Sequence, residues 1–278
     1  MQSFKNKTAF VTGAASGIGL AMTKALIAKG ANVMMSDIDG QSLATVAKLL
    51  KAPAQIDTVI CNVANHTSVE EASKAVTKRF GEVHLLFNNA GVSLAGQNGS
   101  IAVEDWRWVV DINLMGVVHG IEVFLPLMRA HDQGGYIINT ASMAGHFTSA
   151  YMAPYNATKF AVVGYSESLR QELEGSNIGV SVLCPTWVKS NIYNTQGGAP
   201  SASKSDRDFT DSPVYEMSKQ LIDNGMSAED FASLTLSAIA QDRFYVFNDP
   251  AARVAIDNRR DHILSDYDAC LADAVAYL

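Results

Sequence analysis

The sequence predicts an α/β fold, a doubly wound parallel sheet within a single domain spanning residues 1–278, and three observations carry that reading. Short apolar runs such as residues 8–12 (TAFVT) and 32–36 (NVMMS) have the length and continuity of strands buried on both faces. Longer helix-favouring stretches separate them, the spacing of right-handed crossovers between parallel strands. The runs end one after another in glycine or polar residues, and ligands of open α/β sheets bind beyond the carboxyl ends of strands.

The first run stops at Gly13-Ala14-Ala15-Ser16-Gly17-Ile18-Gly19, and an amphipathic helix then runs to about Lys29, with Gly30 closing it. Strand, glycine turn and helix N-terminus place backbone N–H groups where a diphosphate can sit. Gly13 permits the tight turn; Gly17 and Gly19 let backbone approach ligand and helix pack on sheet. The second strand ends at Asp37, eighteen residues past Gly19. A carboxylate at that distance is placed to bond the adenosine ribose hydroxyls. It would repel a 2′-phosphate, and neither Ala15, Ser16 nor Ile38 supplies a cation to offset this. The pattern favours NAD over NADP. The alternative role for Asp37 is to cap the following helix.

Helices over 41–51, 69–80 and 104–129 then alternate with strands over 58–61, 84–87 and 136–140. Pro126 must lie near the end of the long helix or at a kink, because it lacks an N–H donor. A helix carrying Tyr155 and Lys159 extends to about Glu174, and a strand over 179–183 ends at Cys184-Pro185. Residues 186–226 read as a substrate loop after this sixth strand. Within it, 196–211 is rich in Gly, Ser, Asp and Lys, and a helical segment covers 214–224. A long loop in a compact domain is usually a lid or binding loop. A helix over 228–241, a last strand over 244–247 and a helical extension over 250–278, with apolar Ile263, Leu264, Leu271 and Val275, complete the chain.

Composition excludes several classes. Of 278 residues, 48% are hydrophobic and 18% charged, which fits an ordinary globular chain and not a disordered one. The net charge of -7 and the lack of a basic run argue against nucleic acid or anionic membrane as partner. The three cysteines, Cys61, Cys184 and Cys270, lack metal-site spacing and read as small buried hydrophobes in a reducing compartment; no metal is expected. Without an apolar leader or an uninterrupted apolar stretch of membrane-spanning length, the expectation is a cytoplasmic protein.

Tyr155 and Lys159 lie one turn apart on one helix face. A phenol titrates near 10, and an adjacent ammonium favours phenolate, drawing it toward the range of a general acid or base. That spacing arises by chance in many helices, so its weight depends on its companions. These are the turn from Thr12 to Gly19, Asn88-Asn89-Ala90-Gly91, Asn113, Ser142, and Tyr155 with Lys159, in that order. With these parts the chain resembles the short-chain dehydrogenase/reductase family of standard single-domain length, over roughly residues 7–247.

The resemblance implies a Rossmann-type fold and an NAD-dependent oxidoreductase acting on a small-molecule alcohol or ketone. It implies that Tyr155 exchanges the substrate hydroxyl proton, while Ser142 bonds the same oxygen. Lys159 would hold the nicotinamide ribose and lower the Tyr155 pKa, and Asn113 would bind a water continuing a proton relay. Cofactor contacts are implied at Gly13, Ser16, Gly17, Ile18 and Gly19, at Asp37 and Ile38, and at Asn62 and Val63. Further contacts fall at Asn89, Ala90 and Gly91, at Tyr155 and Lys159, and at Pro185, Val188 and Ser190. A homodimer or homotetramer, paired through the helices of Trp106 and Tyr155, is implied as well. Two departures stand out. Asn62 replaces a frequent aspartate at the adenine contact, and Thr186 replaces the glycine usual after Pro185.

The substrate is expected beneath 196–224, against Ser93, Met143, His146, Met152 and Trp187. This apolar and aromatic wall favours a hydrophobic or aromatic secondary alcohol. His146 offers a second base, but Tyr155 fills that role. The runs 106–118 and 181–193 look similar to bacterial Cα-dehydrogenases of lignin-type aryl ethers. The rival readings are an NADP-linked reductase of the same fold and a non-catalytic dinucleotide-binding regulator.

Overall fold

The computed structural model describes residues 1, 3–201 and 213–274. The parts of the expected substrate loop and helical extension on 202–212 and 275–278, Val275 included, lie outside the described residues. Seven parallel strands form one sheet in the order β3-β2-β1-β4-β5-β6-β7. They are β1 Thr8–Thr12, β2 Asn32–Asp37, β3 Ile56–Ile60, β4 Leu85–Asn88, β5 Gly135–Thr140, β6 Ile178–Cys184 and β7 Tyr245–Phe247. The order reverses between β1 and β4, which opens a crevice at their carboxyl ends, directly over the glycine turn.

The helices are α1 Gly17–Ala28, α2 Gly40–Leu50, α3 His66–Phe80, α4 Val103–Val110, α5 Gly116–His131, α6 Ala153–Glu172, α7 Pro213–Asp223, α8 Ala228–Ala240 and α9 Ala252–Ala274. Alternate strand residues feed two cores. Ala9, Val11, Leu85, Phe87 and Ile138 meet Met22 and Leu26 of α1 and Phe231 of α8. Phe10, Leu86, Ile137 and Val182 meet Val76 of α3, Phe124 of α5 and Val162 of α6. Burial on both faces is why the strands read as continuous apolar runs. Phe10 and Phe124 pack ring to ring at 4.5 Å, and each fully buried ring contributes about 1.5–3 kcal/mol.

Three departures from the sequence reading stand out. The third strand starts two residues earlier and ends one earlier, because this edge strand alternates between buried and exposed positions and follows the register Val33↔Ile56. The long helix expected over 104–129 is broken by a π-helical turn at Asp111–Met115. Such a turn inserts a residue into the helical ladder and often marks a functional site. Pro126 sits within α5, toward its C-terminal end. The third difference concerns Val103–His131, which is apolar and long enough to cross a membrane by length and composition. In the fold, Val117, Ile121, Phe124 and Met128 of this run are buried in the second core, as in the central helix of a globular domain.

Candidate active site

The turn after β1 is fixed by sterics. Gly13 has φ +65°, and a side chain on Gly19 would stand 2.2 Å from the Gly13 carbonyl oxygen. The Thr12 hydroxyl accepts from Asn89 N–H at 2.8 Å and Ala90 N–H at 2.9 Å, and the Asn89 amide donates to Thr12 O at 3.0 Å. The ends of β1 and β4 are thereby locked together. Ser16 caps α1 with extended backbone, its side chain making no cap bond and the first turn carrying no acidic residue. That leaves a helix N-terminus suited to an anion. Gly17 lies close enough to Ser190 that an added Cβ would stand 3.1 Å from its Cβ, so the turn and the segment after β6 adjoin.

Asp37 faces this turn. Its Oδ2 accepts from Ala15 N–H at 3.0 Å and its Oδ1 from Asp39 N–H at 3.1 Å. The capping of α2 falls to Asp39, which accepts from Gln41 and Ser42 N–H groups. Ile38 beside it is 67% exposed, an apolar side chain open to a stacked ring. Asn62 Oδ1 already accepts from Ala64 N–H at 3.1 Å, so one lone pair and its amide remain for an adenine. The Val63 side chain is buried; an added Cβ on Gly116 would stand 2.9 Å from it.

Tyr155 and Lys159 rise from the first turns of α6, which opens with Pro154 where no N–H is needed. Lys159 is buried; its Nζ donates to Thr140 O at 2.9 Å and lies 5.5 Å from the Tyr155 ring centre. Burial pushes Lys159 down to about 8. Burial also pushes the half-buried Tyr155 above its ordinary value, with the Ser142 hydroxyl acting in the other direction. The expected lowering of Tyr155 by Lys159 is therefore not the dominant effect in this arrangement: both groups lose solvation, and the ammonium is committed to the Thr140 carbonyl. Ser142 Oγ donates to Pro185 O at 3.3 Å and accepts from Ala144 N–H at 3.1 Å. Asn113, inside the π turn, accepts from Val92 N–H and donates to Val92 O and to the Thr158 hydroxyl. One acceptor position on its Oδ1 is left for a water.

The expected substrate wall comes together only in part. Met143 is buried at 2% exposure within the second core. His146 sits beside Cys184, with Nε2 and Sγ 3.2 Å apart, and its ring packs at a steep angle against Tyr245 and Phe247, which stack on each other at 5.8 Å. Burial pushes it below its ordinary value. Met143 thereby belongs to the core and not to the wall, while His146 keeps part of its surface exposed. Trp187 is 38% exposed, Met152 is half-buried, and Ser93 N–H donates to the Thr195 hydroxyl at 2.8 Å. Val188 is buried and bridges Met226. Thr140, Thr158 and Thr195 escaped the sequence reading as site residues. Each ties the site to partners distant in sequence, Thr140 to Lys159 and Asn89, Thr158 to Asn113 and Thr195 to Ser93, and a lone threonine carries no signal for that.

A glycine turn at the sheet's switch point, beside a buried lysine and a tyrosine–serine pair, fits a Rossmann-type oxidoreductase. The profile of the short chain dehydrogenases matches residues 7–199. A short-chain dehydrogenase/reductase from Burkholderia phymatum, in complex with NAD, superposes with a TM-score of 0.90 at 35% identity, covering 96% of this chain and 97% of that one. A CLA biosynthesis dehydrogenase/reductase from Lactiplantibacillus plantarum is 31% identical over 274 residues, 96% of each chain. A C alpha-dehydrogenase from Sphingobium sp. is 27% identical over 266 residues, 95% of this chain and 87% of that one. The chain belongs to the short-chain dehydrogenase family.

Proposed function

We propose that the protein is an NAD-dependent dehydrogenase that interconverts a hydrophobic or aromatic secondary alcohol and its ketone. The observation that carries the cofactor is Asp37: its carboxylate, held by Ala15 and Asp39 N–H groups, faces the turn where a 2′-phosphate would have to sit. The exposed Ile38, the free Ser16 cap and the crowding around Gly19 fit the adenine, the diphosphate and its close approach. Bound NAD would supply the hydride acceptor or donor. Tyr155 holds the proton that leaves or joins the substrate oxygen, and Ser142 donates to that oxygen as charge develops. Lys159, with two N–H donors beyond its bond to Thr140, would grip the ribose and favour phenolate once the catalytic groups are assembled. The water on Asn113 would return the proton toward solvent. Trp187 and Met152 favour an apolar substrate, and the Cα-dehydrogenase among the relatives is in keeping with an aryl alcohol.

A cytoplasmic location and a homodimer or homotetramer belong to the same reading. The test is NAD⁺ and NADP⁺ reduction over a panel of aromatic and aliphatic secondary alcohols, with Tyr155→Phe as control. A preference for NADP⁺ would remove the cofactor assignment. Binding of NAD⁺ without oxidation of any alcohol would favour a non-catalytic role.

A further inference from the structure

We propose that His119 is a positioning residue for the adenine end of the cofactor, acting through Val63; this rests on the assignment of NAD. His119 stands on α5, and its Nδ1 lies 2.8 Å from Val63 O. A carbonyl oxygen only accepts, so Nδ1 carries the proton and the imidazole is the donor. Gly116 lies three residues earlier, on the same side of the helix. It gives the Val63 side chain its seat, since an added Cβ there would stand 2.9 Å from that side chain. The ring of His66, which opens α3, meets the His119 ring edge-on, with centres 5.4 Å apart. One imidazole on α5 therefore touches both α3 and the loop that joins β3 to it.

The hydrogen bonds of that loop leave one donor over. Cys61 N–H donates to Asp37 O at 2.9 Å and Asn65 N–H to Asn62 O at 3.0 Å. Asn62 N–H donates to the Ser68 hydroxyl and Ala64 N–H to Asn62 Oδ1, both at 3.1 Å. Val63 N–H has no partner among the described residues. With its carbonyl bonded to His119 and its side chain seated on α5, Val63 has little freedom to turn, and the direction of its N–H is set before a ligand arrives. The edge of an adenine carries an acceptor, N1, beside a 6-amino donor. Val63 N–H beside the Asn62 carboxamide is the complement of that edge. A neutral amide bonds the amino group less strongly than a carboxylate would, so more of the affinity falls to the neighbouring N–H. Holding that N–H in place ahead of binding spares the cofactor the cost of ordering the loop.

The test is calorimetry on the full chain with ADP, NAD⁺ and the NAD⁺ analogue that carries hypoxanthine in place of adenine. His119→Leu keeps apolar bulk without a donor, and should weaken ADP and NAD⁺ roughly tenfold, about 1.4 kcal/mol. His119→Asn hangs an amide N–H on the same Cγ as the imidazole Nδ1, and should restore most of that affinity. Hypoxanthine bears a proton on N1 and meets Val63 N–H donor against donor, so the analogue forgoes this bond even in the wild type. Its affinity should therefore be the same in wild type and in His119→Leu. An equal loss for NAD⁺ and for the analogue would make His119 a general packing residue and overturn the proposal. So would failure of His119→Asn to recover ADP binding while His119→Leu lacks it. Equal ADP affinity in wild type and His119→Leu overturns the role of His119 alone, whereas failure of the wild type to bind ADP overturns the NAD assignment together with it.

Discussion

At the glycine turn the backbone holds the site; on the opposite wall, from Ser93 to Trp187, side chains and loops distant in sequence do. Around Gly13 and Gly19 there is no room for a Cβ, and the Thr12–Asn89–Ala90 bonds fix the approach of two strands. The wall depends on separate ties: Ser93 to Thr195, Asp105 to Ser201 N–H at 2.9 Å, and Met226 N–H to Trp187 O at 3.0 Å. Contiguous backbone constraints tolerate few residues and so leave a motif. Dispersed contacts tolerate many and leave none. Substrate range is therefore expected to follow the second region, while the chemistry follows the first.

The largest expected effect lies where the two regions meet. Tyr155→Phe removes the one hydroxyl proposed to carry the substrate proton, and kcat should fall at least about 10²–10⁴-fold, with NAD⁺ affinity nearly unchanged by calorimetry. A fall of less than tenfold would transfer the acid–base role elsewhere. Gly19→Ala tests the backbone side. Its methyl would meet the Gly13 carbonyl oxygen, so the turn must open, at a cost of about 1–3 kcal/mol in stability. NAD⁺ affinity should be lost in step. Normal NAD⁺ binding in this variant would show that the crowding is not what shapes the cradle.

Lys159 gives an effect of similar size with a distinct pH signature. Burial holds its pKa near 8 in the folded chain, below the ordinary 10.5. The unfolded chain therefore binds the proton more tightly, and the destabilisation is fully present below pH 8 and fades as pH rises to 10.5. The swing is about 3 kcal/mol. In urea melts, Lys159→Met should be more stable than wild type at pH 7, and the gap should narrow by pH 10. A gap independent of pH would mean that the ammonium keeps its solvation.

The fold was legible because its signals are periodic: buried strands, crossovers and turns recur, and β1, β2 and β5 fall at or within one residue of their expected bounds. The side chains proposed to be catalytic are marked in the sequence by the order of short motifs. What stayed hidden has a physical reason in each case. The π turn at Asp111–Met115 changes the hydrogen-bond ladder without requiring any particular residue. His146 reads as polar and site-facing, but its ring packs against the stacked pair Tyr245 and Phe247, with Cys184 beside its nitrogen. Accordingly, His146→Phe should change kcat less than about threefold and shift the thermal midpoint instead. A large loss of kcat with an unchanged midpoint would return His146 to the reaction.

The smallest effect concerns Thr186, where the two regions touch. Its N–H donates to Asn248 Oδ1 at 2.8 Å, yet its hydroxyl is buried and has no partner among the described residues. An unsatisfied buried hydroxyl costs free energy that an isosteric methyl does not. Thr186→Val should then raise stability by about 1 kcal/mol. If the hydroxyl serves only the scaffold, KM for alcohol and for NAD⁺ will stay as they are. If it is held without a partner in order to meet the bound reactants, the same variant will be more stable and bind them less well. Measuring the melting curve and both KM values on one preparation separates the two, and assigns Thr186 either to the backbone-built side of the site or to the wall that selects the substrate.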